Sequence, residues 1–442
     1  MTAGKTMTMG RGAASPPRGS VAGAAALVLT LGLGGCASAG GASFVPTPDE
    51  VPALEARIES HPQDAEALTR LGAAYERDGR HEQAAAVLLR AVAADAKAPN
   101  AHFVLGLVHD AQGRHAQAAA AYQRYLELAR GSRLRGQVEA RLELARRSAL
   151  RVAIRESLAR EQQLAARPSP ATVAVFPFVF SGSDERLRPL GRALAEMLST
   201  DLAQTDRLTV LERVQIQALL DEVELGGSGV VDASTAARGG RLLGAGRVVQ
   251  GQVSGSEARL RLDAAVVEVG ADGQSGTVSQ EDAGQRLFEM EKALAFQVYE
   301  RMGVSLSPAE RERVNRRFTE NLQALLAFGQ GLEASDAGRY AEARGFFQQA
   351  ATLDPQFQRA SQLAGAAADL ERAQATSASD AAEEVAQASV EAEISEQVAA
   401  VAQQAAAAST RNAAQEALGT EGVGRTPATP IVITLKRPGG EP

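Results

Sequence analysis

The chain has 442 residues, a formal net charge of -7, 4% aromatic residues and no Trp. Its length suits about two to four domains and a sizeable core. The acidic balance argues against a general nucleic-acid footprint, and a lone cysteine excludes an intrachain disulfide. Alanine recurs throughout, as suits helices whose backbones approach closely.

Taken in chain order, Lys5, Arg11 and Arg18 form a positive leader before the apolar, uncharged stretch Val21 to Leu33. That stretch is too short for a membrane span of about twenty residues but right for a signal-peptide core. It ends in Leu33-Gly34-Gly35-Cys36, which resembles the bacterial lipobox. A thiol there carries diacylglycerol, and small neighbours admit the peptidase. The resemblance implies removal of residues 1–35 and a mature chain beginning at lipidated Cys36. Several acyl chains on one residue, palmitate among them, anchor a protein stably where one chain is marginal. By the usual sorting pattern of such lipoproteins, Ala37 implies the outer membrane, in the inner leaflet facing the periplasm. Residues 36–47 are predicted to be a flexible tether.

Residues 48–166 are predicted to form a helical domain. Leu71-Gly72 recurs as Leu105-Gly106, and Gly79-Arg80-His81 recurs as Gly113-Arg114-His115, both 34 residues on. Leu71, Gly72, Tyr75, Ala84, Leu88 and Ala91, then Leu105, Gly106, Ala118 and Tyr122, resemble the spaced positions of the tetratricopeptide repeat. Gly72 and Ala84 stand where two helices cross. Gly79 and Gly113 accept the left-handed C-cap conformation. Tyr125 departs from the repeat, which favours alanine at that position. Gly131 to Ala166 continues as a basic amphipathic helix that caps the array or bridges onward.

After Pro168-Ser169-Pro170 the texture becomes α/β, over residues 171–304. Thr172 to Phe180 reads as a buried strand. Arg186 to Gln204 reads as a helix, Leu208 to Leu211 as a short strand, and Val214 to Leu225 as a helix. Ser234 is expected to cap a helix ending near Gly244. Arg247 to Val253 and Ala258 to Val269 form a hairpin turning at Gly255. Gly276 to Gln280 adds an edge strand, and Arg286 to Met302 a helix.

This ordered series resembles the curli secretion lipoprotein CsgG and its relatives. The matching positions are Pro177-Phe178, Glu212-Arg213, Glu222, Asp232, Thr235-Ala236, Gly244-Ala245 and Gly251. The secretion channel inserts long amphipathic hairpins to build a barrel, whose strands need about nine to eleven residues each. The connection at Ser254-Gly255-Ser256 leaves no room for one, so the expectation is the periplasmic core without a pore.

Ser307-Pro308-Ala309-Glu310 opens a helix by N-cap and Pro at N1. A third repeat copy follows in residues 308–372, with Gly331, Ala343, Phe347, Ala350 and Pro355 at motif spacing. Residues 373–418 read as an Ala-rich helix with little apolar stripe, and 419–442 as a disordered tail. The tail's PIVITL segment (Pro430 to Leu435) has strand character.

The fold class expected is therefore α+β multidomain: a helical repeat array, a small α/β domain with a mixed sheet, and a second repeat-like segment. No catalytic constellation, metal-ligand spacing, phosphate loop or cofactor motif is evident. The histidines at 61, 81, 102, 109 and 115 read as structural or exposed. Glu212-Arg213 reads as a strand-end ion pair or helix cap. The expectation is a non-enzymatic envelope lipoprotein in transport or surface-structure assembly. Its partners are envelope proteins bound through the repeats and the membrane bound through lipid, with homo-oligomerisation open. The alternative is an outer-membrane regulator of peptidoglycan synthesis.

Overall fold

The structure, a computed structural model, describes residues 43–163, 168–223, 233–270 and 275–417. The leader with Leu33, Gly34, Gly35 and Cys36, the motif residue Asp232 and the tail with its PIVITL segment lie outside the described residues.

Helix α1 (Val51–Ser60) leads into two helical hairpins, α2 (Ala65–Arg77) with α3 (His81–Ala94), and α4 (Pro99–Ala111) with α5 (His115–Leu128). Asp64 caps α2 by accepting the Ala67 N–H at 2.9 Å. The left-handed residues that end α2 and α4 are Gly79 and Gly113, with φ of 71° and 70°. A β-carbon on Gly72 would lie 2.5 Å from Leu88, and one on Gly106 2.5 Å from the Tyr122 ring. These glycines let paired helices close on each other's large side chains. Tyr125 fits where alanine is usual because its ring packs 5.5 Å from that of Phe103 and its hydroxyl donates to Ser132 Oγ at 3.1 Å. Helix α6 (Arg135–Ala159) covers α5, then runs on to the α/β segment, where Ile154 enters the core.

The sheet is built from β1 (Thr172–Val175), β2 (Val179–Phe180), β3 (Thr209–Val210), β4 (Arg247–Ser256), β5 (Arg259–Glu268) and β6 (Ser275–Asp282). Its order is β3-β1-β4-β5-β6, with β2 also paired to β4. β1, β2 and β3 pair in parallel; β5 and β6 close the sheet antiparallel. Between them lie α7 (Leu190–Leu202), α8 (Arg213–Glu222) and α9 (Ala233–Leu243), and α10 (Leu287–Arg301) follows. Alternation along the strands sends Val173, Val175, Val249, Leu260 and Leu262 against α7 and α10. Ala174, Phe176, Val248 and Val267 face α8 and α9 instead.

Three local readings change. The single strand expected over Thr172 to Phe180 is broken at Phe176–Phe178. Pro177 has no N–H to give the ladder, and Phe178 donates to Gly191 O at 3.1 Å instead of to β4. Gly255 is not the hairpin turn: it pairs with Leu260 inside β4 at φ 96°, and the turn is Glu257-Ala258. Ser234 lies inside α9 (Ala233–Leu243) rather than ahead of it.

Beyond α10, the short α11 (Pro308–Val314) starts at Ser307, whose hydroxyl accepts the Glu310 N–H at 3.3 Å. Helices α12 (Leu322–Asp336), α13 (Tyr340–Leu353) and α14 (Gln358–Ala375) follow, with Pro355 in the turn before α14. Gly331 sits under Phe347 as Gly72 sits under Leu88. This third repeat does not stand apart. Sheet residues, α7, α10, α12, α13 and α14 share one apolar core, and a β-carbon on Gly329 of α12 would reach the Pro189 carbonyl at 2.2 Å. The last helix, α15 (Ala378–Ala417), begins after a bend at Thr376-Ser377. Among the described residues no helix is long and apolar enough to cross a membrane.

The glycines separate packing from propensity. Gly106→Ala should lose about 1–3 kcal/mol by forcing a methyl into the buried Tyr122 ring. Gly365→Ala in α14, where a β-carbon meets nothing within 4 Å, should gain about 0.5–1 kcal/mol from helix propensity. Urea unfolding of both variants checks the opposite signs.

Candidate interaction site

Helical repeats present one helix of each hairpin along a groove. Here α15 lies against α2 and α4, and Ala381, Ala382, Val385 and Ala388 join the repeat core. Their spacing is that of one helix face. The expectation of an Ala-rich helix with little apolar stripe is thus corrected for its first three turns. Beyond them the helix emerges, leaving Val390, Ile394 and Val398 exposed by 43%, 44% and 53%.

A second segment lies beside it. Ser43–Thr47, expected to be part of a flexible tether, is held instead. Phe44 and Val45 pack on the repeat core, and Arg70 of α2 donates to the Phe44 and Ser43 carbonyls at 3.2 and 3.0 Å. Glu383 of α15 ties the two together, accepting from Ser43 Oγ at 2.7 Å and from the Val45 N–H at 3.1 Å. Burial pushes the Glu383 carboxyl up, but these hydrogen bonds outweigh it and hold the group below its usual range. Ser389 donates to Asn100 Oδ1 at 2.9 Å, and Arg133 meets Glu391 at 2.9 Å.

The repeat motif residues are structural. Leu71, Tyr75 and Leu105 are core, and Ala84, Ala118, Ala343, Ala350 and Phe347 are fully buried at helix crossings. Among the α/β motif residues, Pro177, Phe178 and Gly251 come together: the Phe178 ring lies where a β-carbon on Gly251 would be, 2.6 Å away. Gly244, at φ 69°, turns the chain into β4, and the Ala245 N–H donates to Gly240 O at 2.8 Å. Glu222 pairs with Arg155 of α6 at 3.0 Å.

Glu212 and Arg213 part company. Glu212 is the N-cap of α8, its N–H donating to Gln215 Oε1 at 3.2 Å. Arg213 turns toward the last repeat, where it and Arg192 both contact the buried carboxylate of Asp336. Glu196 completes the joint, 2.9 Å from Arg359 and 3.6 Å from Arg213. Burial, reinforced by the neighbouring Arg147, Arg192 and Arg359 charges against the pull of Glu196, brings Arg213 down to about 10. Of the two readings of Glu212-Arg213, the helix cap holds for Glu212, while the ion pair of Arg213 is a bond between the α/β segment and the last repeat. A cavity of about 530 Å³ opens beside it, lined by Arg147, Arg213, Arg359, Glu196, Ser199 and Leu370.

The sequence reading passed over one further cluster. At the α7–α10 seam, Lys292 Nζ lies 2.9 and 2.8 Å from the Asp201 oxygens and 3.2 Å from Glu291 Oε2, all buried. The Tyr299 hydroxyl donates to the Asp201 carbonyl at 2.6 Å. Two ionised carboxylates facing one ammonium would leave an excess negative charge in the core. Burial first, then Glu291, push Asp201 up to about 9 against the pull of Lys292.

The histidines are dispersed. His61 meets Ser60, His102 the Ala96 carbonyl, and His115 Asp110 at 3.2 Å. His81 and His115 open α3 and α5 at equivalent repeat positions. His109 is buried, and that burial lowers its pKa. Among the described residues, no group of three His, Cys, Asp or Glu is placed to hold a metal ion.

Three outcomes are expected. Asp336→Asn leaves two arginines facing each other and should cost about 2–4 kcal/mol by urea unfolding. Glu342→Gln, which breaks the exposed Arg339–Glu342 pair, should change stability by less than about 0.5 kcal/mol. For the α7–α10 cluster, the folded chain keeps a proton on Asp201 that the unfolded chain releases near pH 4. The stability from that proton is therefore full below about pH 4 and drains as pH rises toward 9. Glu291→Gln removes the like charge, so its advantage over wild type in thermal unfolding should grow from pH 5 to pH 9. A pH-independent difference would contradict a proton held on Asp201.

Two families match parts of the chain. The family described as curli production assembly/transport component CsgG matches residues 158–283. The tetratricopeptide repeat family matches residues 51–99 and 82–133. The CsgG match stops before α10, which covers the same sheet. No curated protein matches the chain. Among solved structures, the LpoB C-terminal domain from Salmonella enterica is 15% identical, covering 30% of this chain and 98% of that one with a TM-score of 0.23. Naa15/Naa10 bound to HypK-THB is 14% identical, covering 76% of this chain and 55% of that one with a TM-score of 0.19. The chain joins a CsgG-like domain to tetratricopeptide repeats in an α+β architecture.

Proposed function

We propose that this chain is a lipid-anchored envelope protein that acts by binding other proteins, in transport or surface-structure assembly, without catalysis and without forming a pore. The observation that carries the reading is the union of a CsgG-like domain with repeats built for protein contact. The lipobox-like Leu33-Gly34-Gly35-Cys36 supports the anchor. Two connections support the absence of a pore: the β4–β5 turn is Glu257-Ala258, and residues 269–274 alone join β5 to β6. Neither has the length to supply membrane-spanning strands. Self-association belongs to the same reading, since Val390, Ile394 and Val398 form an open apolar stripe on α15.

Labelled fatty acid should enter the mature wild-type protein and be absent from Cys36→Ser, which should also leave the membrane fraction. A Cys36→Ser product processed and located like wild type would sink the anchor. Capture of the lipidated protein from solubilised membranes should retrieve envelope assembly or export components. Retrieval of a peptidoglycan synthase instead would transfer the reading to regulation of wall synthesis.

A further inference from the structure

A binding groove filled by the chain's own helix shows what chemistry it accepts. The first three turns of α15 contribute four alanines and one valine, counting Ala386, with Asp380, Glu383 and Glu384 on the same turns and Glu391 just beyond them. From Ala378 to Thr410 there is no lysine or arginine. The receiving side supplies Asn100 and Arg133, while Arg70 holds the Ser43–Phe44 strap to which Glu383 bonds. Arg141 also donates to the Thr376 carbonyl at 2.9 Å, at the bend before the helix. Small side chains bury little area, at about 0.8 kcal/mol per buried CH₂. The repeat core beneath is built from leucines, Phe103, Tyr122 and Tyr125. The docked turns are therefore held weakly compared with the surface that holds them.

We propose that these turns of α15 are a resident ligand of the repeat groove and that a partner enters by replacing them. The partner chemistry follows: an acidic amphipathic helix with apolar residues at i, i+3, i+4 and i+7, larger than alanine, and carboxylates for Arg133 and for the Ser43 hydroxyl and Val45 N–H that now hold Glu383. Larger residues are required because α15 is joined to α14 through Thr376-Ser377 alone. A short tether of this kind gives an effective concentration in the millimolar range or above. A free helix with no better contacts would lose to it. Release of α15 would also free Glu383 from Ser43 and Val45, coupling partner entry to the segment leading back toward Cys36. The proposal rests on the protein-binding reading above and names the partner class.

The test uses the full chain. Val385→Glu places a charge in the seam and should eject α15. A fluorescein-labelled peptide of residues 377–391 should then bind with a Kd on the order of tens of micromolar, at least twenty-fold tighter than to wild type. The same peptide with Glu383, Glu384 and Glu391 changed to Gln should bind at least five-fold more weakly. A folded Val385→Glu chain that does not take up the peptide, or takes up both peptides equally, overturns the proposal. Hydrogen exchange on wild type guards against a variant that fails to fold. Amides of residues 381–389 should exchange at least a hundred-fold faster than those of residues 104–108 in α4, and equal protection makes α15 a permanent wall and sinks the idea. Failure here leaves the lipid-labelling and capture results standing, so the two readings fall separately.

Discussion

Helical repeats cannot bury their apolar faces alone, and most of this architecture follows from covering them. Two hairpins end at α5, whose open side is taken by α6. Being 25 residues long, α6 continues past the array, meets α14 and α8, and puts Ile154 into the α/β core. The third repeat solves the same problem by sharing its core with the sheet, through α7 and α12. The groove between α2 and α4 is covered by α15 and the Ser43–Thr47 strap.

Charges then fix how the covered pieces meet. Asp336 has no local reason to be buried; it is buried because Arg192 and Arg213 arrive from the other segment. Removing one member of such a group costs more than the group contributes, since the remaining charges stay desolvated. The joint therefore favours one docking geometry. The Asp201–Lys292–Glu291 cluster is different: it has one carboxylate too many, and burial with the Glu291 charge pushes the Asp201 carboxyl well above its usual range.

Much of the fold was legible locally. The 34-residue offset, Gly79 and Gly113 at helix ends, and Gly72 and Gly106 at crossings all have short-range physical causes, and the structure uses them so. The Ser307 cap is of the same kind. The errors were also local in origin. Pro177 lies inside the stretch that reads as one strand over Thr172 to Phe180, and it is the signal for the break. The i, i+3, i+4 and i+7 pattern of Ala378, Ala381, Ala382 and Val385 was overlooked because alanine carries a faint apolar signal.

What the sequence determined by itself is every element whose cause lies within one helical turn or one strand period: the repeats, their glycines, the strand alternation and the caps. Only the tertiary structure decided which faces meet. Glu383 reaches Ser43 across 340 positions, and Arg192 reaches Asp336 across 144. An exposed and a buried carboxylate look alike in a sequence, because the difference lies in what packs around them, and that is set only when distant segments close on one another.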